Sequence, residues 1–211
     1  MRYISWNCRG LGSTQKTEAM KDLVRINKPE ILLIQETKLE GDLALQAGNL
    51  FWKKGLGKVV SSRGASGGLT TFWDSSKFDL LSVHSTTHWI FTIFNHKDSG
   101  HHVSLFNLYV PISMAEKKEC WESIDSFLSA HMPRNIIISG DLNVTLAASE
   151  KKGGSIVRDP SREWAEDVIL GWDLVDIKPS KGKFTWTNKR LGPRHIAARL
   201  DRFLVHSSFL S

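Results

Sequence analysis

Six polar side chains stand where short apolar runs give way to polar residues. Asn7 closes Tyr3-Ile4-Ser5-Trp6, and Glu36 follows Ile31-Leu32-Leu33-Ile34-Gln35. Tyr109 lies in Asn107-Leu108-Tyr109-Val110-Pro111, Asp141 and Asn143 follow Ile136-Ile137-Ile138-Ser139-Gly140, and Asp201 sits inside Arg199-Leu200-Asp201-Arg202-Phe203. A buried strand fixes the side chain at its end while the loop beyond admits substrate, so reactive groups gather at such ends. Three carboxylates, two carboxamides and a phenol form an oxygen-rich donor set. It suits Mg²⁺, with Mn²⁺ as a substitute, because that hard ion takes few protein ligands and keeps several waters. It suits a thiol-seeking metal poorly. Phosphodiester hydrolysis calls for this kit: a metal to neutralise the phosphate, a carboxylate to orient and deprotonate water, and donors for the charge that builds on the phosphoryl oxygens. Taken singly, each residue is equally what a solvated loop, an N-cap or a surface ion pair contains, and Asp201 has Arg199 and Arg202 beside it. Only the ordered set carries weight.

The elements that must hold these residues read as α/β. Tyr3 to Trp6 is a short β-rich run ending at the glycine-punctuated Arg9-Gly10-Leu11-Gly12. Ala19, Met20, Leu23, Val24 and Ile26 keep near-helical spacing after Ser13 or Thr14 as N-cap, and Pro29 ends that helix. Residues 30–35 form a continuous apolar strand of the kind buried on both faces. From Phe51 to Val110, β-branched and aromatic runs alternate with Gly, Ser and Asp clusters, which predicts antiparallel strands joined by surface loops. Ser113 and Glu116 stand in capping-box register before the stripe Cys120, Trp121, Ile124, Phe127 and Leu128. A further helix is predicted with Asp159 as N-cap, Pro160 at its first position and Gly171 just past its end. Two last strands are expected around 184–187 and 198–205. With no repeat, linker or low-complexity tract, the expectation is a single domain over 1–211 in which two sheets face each other with helices outside.

Composition sets limits. The chain has 211 residues, 41% hydrophobic and 24% charged, enough for one large core. A formal charge of +6, from 28 Lys+Arg against 22 Asp+Glu, favours polyanionic partners without specifying a fold. Two cysteines, Cys8 and Cys120, are too few for a disulfide framework. No apolar run approaches a membrane span, and the N-terminus lacks the apolar stretch of a signal peptide. A monomer inside the cell, in nucleus or cytoplasm, is the expectation. Lys181, Lys183, Lys189, Arg190 and Arg194 cluster around Thr185, which predicts a phosphate-tracking rim for DNA. Asn143-Val144-Thr145 matches a glycosylation pattern but coincides with the reactive set.

In order and approximate spacing, these motifs resemble the endonuclease/exonuclease/phosphatase superfamily along nearly the whole chain. Trp6-Asn7-Cys8-Arg9-Gly10-Leu11-Gly12, Gln35-Glu36-Thr37-Lys38 and Phe184-Thr185-Trp186-Thr187-Asn188 are similar to the endonuclease domain of plant LINE-type retrotransposons. The resemblance implies a DNase I-like four-layer α/β sandwich and a Mg²⁺-dependent, DNA-nicking phosphodiesterase, with a reverse transcriptase encoded downstream in the same polyprotein. It implies Glu36 as metal-binding carboxylate with Asn7 beside it, and Tyr109 on the scissile phosphate. Asp141 would act on the water with Asn143 on a phosphate oxygen, and Thr185 and Arg9 would contact substrate. Asp201 would orient a histidine from a later Ser-Asp-His motif followed by a last core strand. Ten residues follow Asp201 and none forms that motif, and Ala198 stands where serine is usual. The expectation is therefore a domain lacking its histidine loop and last strand, and weak or absent cleavage by 1–211. A degenerate module that only binds nucleic acid, and a phosphoesterase acting on small phosphorylated substrates, are the alternatives.

Overall fold

The computed structural model describes residues 1–64, 66–154 and 159–210; Ala65, within the expected Gly64–Gly68 turn, lies outside them. The residues group into two compact units, each assembled from two stretches: Met1–Tyr109 with Ile136–Gly140, and Val110–Asn135 with Asp141–Ser211.

The first unit holds two sheets. One contains β1 (Tyr3–Asn7), β2 (Ile31–Gln35), β3 (Gly55–Arg63) and β4 (Ser66–Asp74) in the order β1-β2-β4-β3, with β1 parallel to β2 and the other pairs antiparallel. The other runs β8-β7-β6-β5, from β5 (Phe78–Ser85), β6 (Trp89–His96), β7 (His102–Tyr109) and the first five residues of β8 (Ile136–Asp141). Helix α1 (Thr14–Asn27) bridges β1 to β2, and α2 (Gly41–Phe51) follows β2. Ser13 caps α1 by accepting from the Lys16 amide, and Lys28 ends it in a left-handed turn before Pro29.

Every residue of β2 is buried, for two different reasons. Leu32 and Ile34 enter the core with Met20 of α1, Ala47 and Phe51 of α2, and Phe72 of β4. Alternation turns Gln35 to the opposite face, where its side-chain nitrogen donates to Asn107 Oδ1 on β7 at 2.7 Å. Asn107 in turn donates to the Thr70 carbonyl at 2.9 Å, and Trp73 lies 5.2 Å from Phe94 between ring centroids. The two sheets thus face each other across a largely apolar core in which this carboxamide pair also reaches the Thr71 hydroxyl at 3.3 Å. Gly140 shows how tightly β8 fits: its φ is +145°, and a Cβ there would sit on the Leu108 carbonyl oxygen.

The second unit holds α3 (Met114–His131), β9 (Lys151–Lys152), α4 (Ser161–Gly171), β10 (Leu174–Asp176), β11 (Trp186–Thr187), β12 (Ala197–Ala198) and β13 (Asp201–His206). β10 pairs with β13, and β11-β12-β9 form a small antiparallel sheet. Ser113 caps α3 by accepting from the Glu116 amide, and Cys120, Trp121, Ile124 and Leu128 are its buried stripe.

Three sequence expectations need correction. Helix α2 went unpredicted, since it has no side-chain cap and carries two glycines. Helix α4 begins at Ser161, with Pro160 as its N-cap and Gly171 as its last residue; Asp159 still accepts from the Ser161 amide at 2.9 Å. The strand expected over 198–205 is broken at Arg199–Leu200, because the Thr185 hydroxyl takes the amides of Leu200 and Asp201 at 3.0 Å each. Among the described residues, no helix is long and apolar enough to cross a membrane.

Candidate active site

In the first unit the parallel β1–β2 pairing ends with Asn7 opposite Gln35. The two strand exits then continue side by side, through Cys8 N–H to Gln35 O (3.0 Å), Gly10 N–H to Glu36 O (2.7 Å) and Leu11 N–H to Thr37 O (2.9 Å). On the other side Thr37 N–H donates to Gly68 O at 3.1 Å. This zipper forces Glu36 into a left-handed backbone, φ +52°, and Arg9 into φ +49°. Such a conformation costs a non-glycine residue about 1 kcal/mol or more, and it persists only where the surroundings over-determine it. Its result is a half-buried carboxylate beside Asn7, whose side-chain nitrogen donates to Glu36 Oε1 at 2.8 Å. The bond holds the carboxylate in one orientation. Arg9 is exposed on the turn. Cys8 lies under it at 0% exposure, and burial pushes its thiol up to about 11, so it is an inert wall and not a nucleophile. Tyr109, the last residue of β7, is half-buried, and its amide donates to His88 O at 2.9 Å.

In the second unit Asp141 and Asn143 form one tight turn. The Asn143 amide donates to Asp141 Oδ1 at 2.9 Å, and the Asn143 side-chain nitrogen donates to Val110 O at 2.6 Å. Val110 N–H returns to Asp141 O at 2.9 Å. Asp141 is 4% exposed, and Asn143 is left-handed at φ +46°. Leu142 N–H donates to Leu200 O at 3.0 Å, tying this turn to the segment that carries Asp201. Thr185, expected on substrate, accepts the Leu200 and Asp201 amides with its hydroxyl oxygen and keeps its own hydrogen to donate.

Sequence reasoning missed what anchors that segment. Arg199 and Arg202, each 3% exposed, flank Leu200–Asp201 and reach to Glu150 and Asp176. Arg202 donates to Glu150 Oε2 at 2.5 Å and to Asp176 Oδ2 at 2.6 Å, and Arg199 to Asp176 Oδ1 at 2.6 Å and Glu150 Oε1 at 3.0 Å. Burial alone would raise the Glu150 carboxyl, but the Arg202 hydrogen bond and charge, the Leu146 amide and Arg199 outweigh it and hold its pKa at about 2. Asp176 is likewise lowered: burial opposes, and Arg199 and Lys178 prevail. Both arginines are thus bound to the Glu150 and Asp176 carboxylates. No local sequence signal joins Glu150 to Arg202, 52 residues away. Lys117, also missed, had one: it falls in helical register with the apolar stripe of α3, and it is 4% exposed.

The hairpin between β11 and β12 carries the expected rim. Asn188 organises it, accepting from the amides of Arg190 (3.1 Å) and Ile196 (3.0 Å) and donating to Arg194 O (2.8 Å). Lys189, Arg190 and Arg194 are exposed. Lys189 and Arg190, with Lys152 and His195, line a concavity of about 580 Å³ whose lining includes no carboxylate.

A resident metal can be tested against these donors. Among the described residues no group of three or more His, Cys, Asp or Glu gathers as a cation cage. Glu36 and Asn7 instead offer a fixed carboxylate and a carboxamide, all hard oxygen on the acceptor side. That donor set fits an ion which keeps most of its waters, and it does not fit structural zinc.

Mixed α/β topology with two multi-stranded mixed sheets flanked by helices, and polar residues at the strand exits, defines a DNase I-like phosphoesterase fold. The chain belongs to the endonuclease/exonuclease/phosphatase family, whose model matches residues 4–211. It is 28% identical over 190 residues to the transposon TX1 uncharacterized 149 kDa protein of Xenopus laevis, an alignment covering 86% of this chain and 14% of that protein. Its fold is similar to an AP endonuclease from Archaeoglobus fulgidus, with TM-score 0.77 and 18% identity over 99% of this chain and 87% of that one. It is also similar to the endonuclease domain of TRAS1, a telomere-specific non-LTR retrotransposon, with TM-score 0.71 and 15% identity over 99% and 86%.

Proposed function

We propose that this chain is the DNA-nicking endonuclease domain of a LINE-type retroelement, hydrolysing phosphodiesters with Mg²⁺ or Mn²⁺ and working beside a reverse transcriptase of the same polyprotein. The observation that carries this reading is that two strand-end carboxylates are each fixed by an asparagine of their own unit, Glu36 by Asn7 and Asp141 by Asn143. Both pairs rest on left-handed backbone at Glu36 or Asn143, a strained conformation of the kind that gathers at functional sites. The likeness to one transposon protein and one retrotransposon endonuclease domain supports the retroelement assignment. The basic hairpin supports DNA as the polyanion.

In this reading Glu36, oriented by Asn7, holds the metal, which supplies charge neutralisation at the phosphate when bound. Asp141 is nearly buried and acceptor-only when ionised, so it orients the attacking water and takes its proton. Asn143 and the Tyr109 hydroxyl donate to the phosphoryl oxygens. Asp201 would orient a histidine that protonates the leaving oxygen, from a Ser-Asp-His segment that residues 1–211 do not contain. Thr185 serves Asp201 first, as the cap of its amide, and substrate second. Arg9, Lys189, Arg190 and Arg194 bind phosphates away from the cut.

The test is Mg²⁺-dependent conversion of supercoiled plasmid to nicked circle, expected to be weak with residues 1–211 and to rise when a Ser-Asp-His segment is appended, with Asp141→Asn and Glu36→Gln each lowering the raised rate at least ~10²-fold. Salt-sensitive DNA binding with no cleavage in either metal, even with that segment appended, would instead support a binding module that has lost catalysis. Turnover of small phosphate monoesters with no action on DNA would replace the substrate.

A further inference from the structure

Lys117 does something its place in the core does not require. Its ammonium has three hydrogens and three acceptors: Asn143 O at 2.8 Å, Asp159 Oδ2 at 2.6 Å and Ser161 Oγ at 3.3 Å. Two of these belong to the start of α4, where Asp159 also accepts from the Ser161 amide (2.9 Å) and hydroxyl (2.7 Å). A lysine serving only to tie α3 to α4 would stop there. The third bond goes to the backbone carbonyl of the residue in the strained turn after β8.

We propose that Lys117 is a positioning residue for Asn143: its ammonium grips the Asn143 carbonyl and thereby sets the direction of the Asn143 amide and side chain. Asn143 is then fixed at three points. Its amide goes to Asp141 Oδ1, its side-chain nitrogen to Val110 O, and its carbonyl to Lys117 Nζ. The last of these is charge-assisted and shielded from water, so it is the strongest single restraint against relaxation of a φ of +46°. Because the Asn143 amide also orients the Asp141 carboxylate, loosening the carbonyl disturbs both residues of the turn. Asp159 pairs with the ammonium at 2.6 Å, and its carboxyl is held below the usual range: burial opposes, and the bonds from Lys117 and Ser161 prevail. The functional half of this inference rests on the phosphodiesterase reading above; the structural half does not.

The experiment compares Lys117→Met, Lys117→Arg and Asp159→Asn with the parent protein. Thermal melting checks the fold, plasmid nicking gives kcat and KM separately, and hydrogen exchange follows the Asn143 amide. Lys117→Met is expected to lower kcat about 10²-fold, the size of loss a ~1 Å displacement near the chemistry produces, with KM within about twofold. It should also speed exchange of the Asn143 amide at least ~10-fold, through a bond no longer held. Lys117→Arg is expected to recover part of kcat, since a guanidinium still reaches the carbonyl. Asp159→Asn removes the ion pair but leaves Nζ on Asn143, so it should lower the melting temperature while kcat stays within about threefold. Equal loss of kcat in Lys117→Met and Asp159→Asn, in proportion to lost stability, would assign Lys117 a purely structural role and overturn the proposal. So would unchanged exchange at Asn143 in a folded Lys117→Met. If the parent protein cuts no DNA, the exchange comparison still decides whether Lys117 positions Asn143, and the nuclease reading fails separately only if an appended Ser-Asp-His segment brings no cleavage.

Discussion

At the scale of single residues, the decisive feature is which hydrogen bond orients each reactive group. Glu36 is oriented by one carboxamide, so Asn7→Ala should leave the carboxylate in place but free to rotate. Loss of such a supporting hydrogen bond typically costs 10–100-fold in metal affinity, which a Mn²⁺ titration followed by electron paramagnetic resonance would read. An unchanged Mn²⁺ affinity would remove Asn7 from the metal site. Thr185 makes a second case, because its oxygen collects the amides of both Leu200 and Asp201. Thr185→Val should lower stability by about 1 kcal/mol and Thr185→Ser should recover most of it, as seen by urea midpoints. Asn7 and Glu36 stood out in the sequence because each sits at the exit of an apolar run, where type and position coincide; Thr185 stood out only through the family resemblance. Lys117, Glu150 and Asp176 did not. A buried charge is recognised only through its partners, and Glu150 finds Arg199 and Arg202 across 49 and 52 residues.

At the scale of elements, the sequence was clear wherever a local stop or start signal agreed with the periodicity. Ser13, Pro29, Ser113 and the apolar β2 and β8 runs all do this, and those elements fell within a residue or two of expectation. It was opaque at α2, which has glycine at positions 41 and 48 and no capping side chain, and at the break before β13, which Thr185 imposes from outside the segment. The charge cluster under that break gives an element-scale prediction. Glu150 has a folded pKa depressed to about 2 from 4.5, so its stabilisation is full above pH ~4.5 and is lost as pH falls toward 2. The shift corresponds to about 3 kcal/mol, and Asp176, lowered in the same direction, adds to the effect. Urea midpoints measured from pH 6 down to 2.5 should fall steeply below 4.5 in the parent and less so in Glu150→Gln. That variant should itself be destabilised by about 3 kcal/mol at neutral pH, because it leaves two buried guanidinium groups to share the one carboxylate of Asp176. A flat acid profile would mean that the cluster does not hold the β13 segment.

At the scale of the whole molecule, a modest net charge of +6 becomes useful only by being gathered, and the β11–β12 hairpin gathers it. Replacing Lys189, Arg190 and Arg194 with glutamine should weaken DNA binding and reduce the slope of log affinity against log salt by about 1 for each phosphate no longer neutralised. An unchanged slope would put the DNA elsewhere. The chain also passes between its two units three times, at residues 109/110, 135/136 and 140/141, so neither unit is a continuous piece of polypeptide. The consequence concerns synthesis. The first unit cannot complete its second sheet until β8 has left the ribosome, after all of α3, which belongs to the other unit. During translation, roughly a hundred residues of strand-rich polypeptide must wait with the β7 edge open, a condition that invites mispairing and chaperone capture. A nascent chain halted at Pro133 should accordingly remain protease-sensitive, and one extended past Leu142 with enough linker to clear the exit tunnel should acquire protection over residues far upstream.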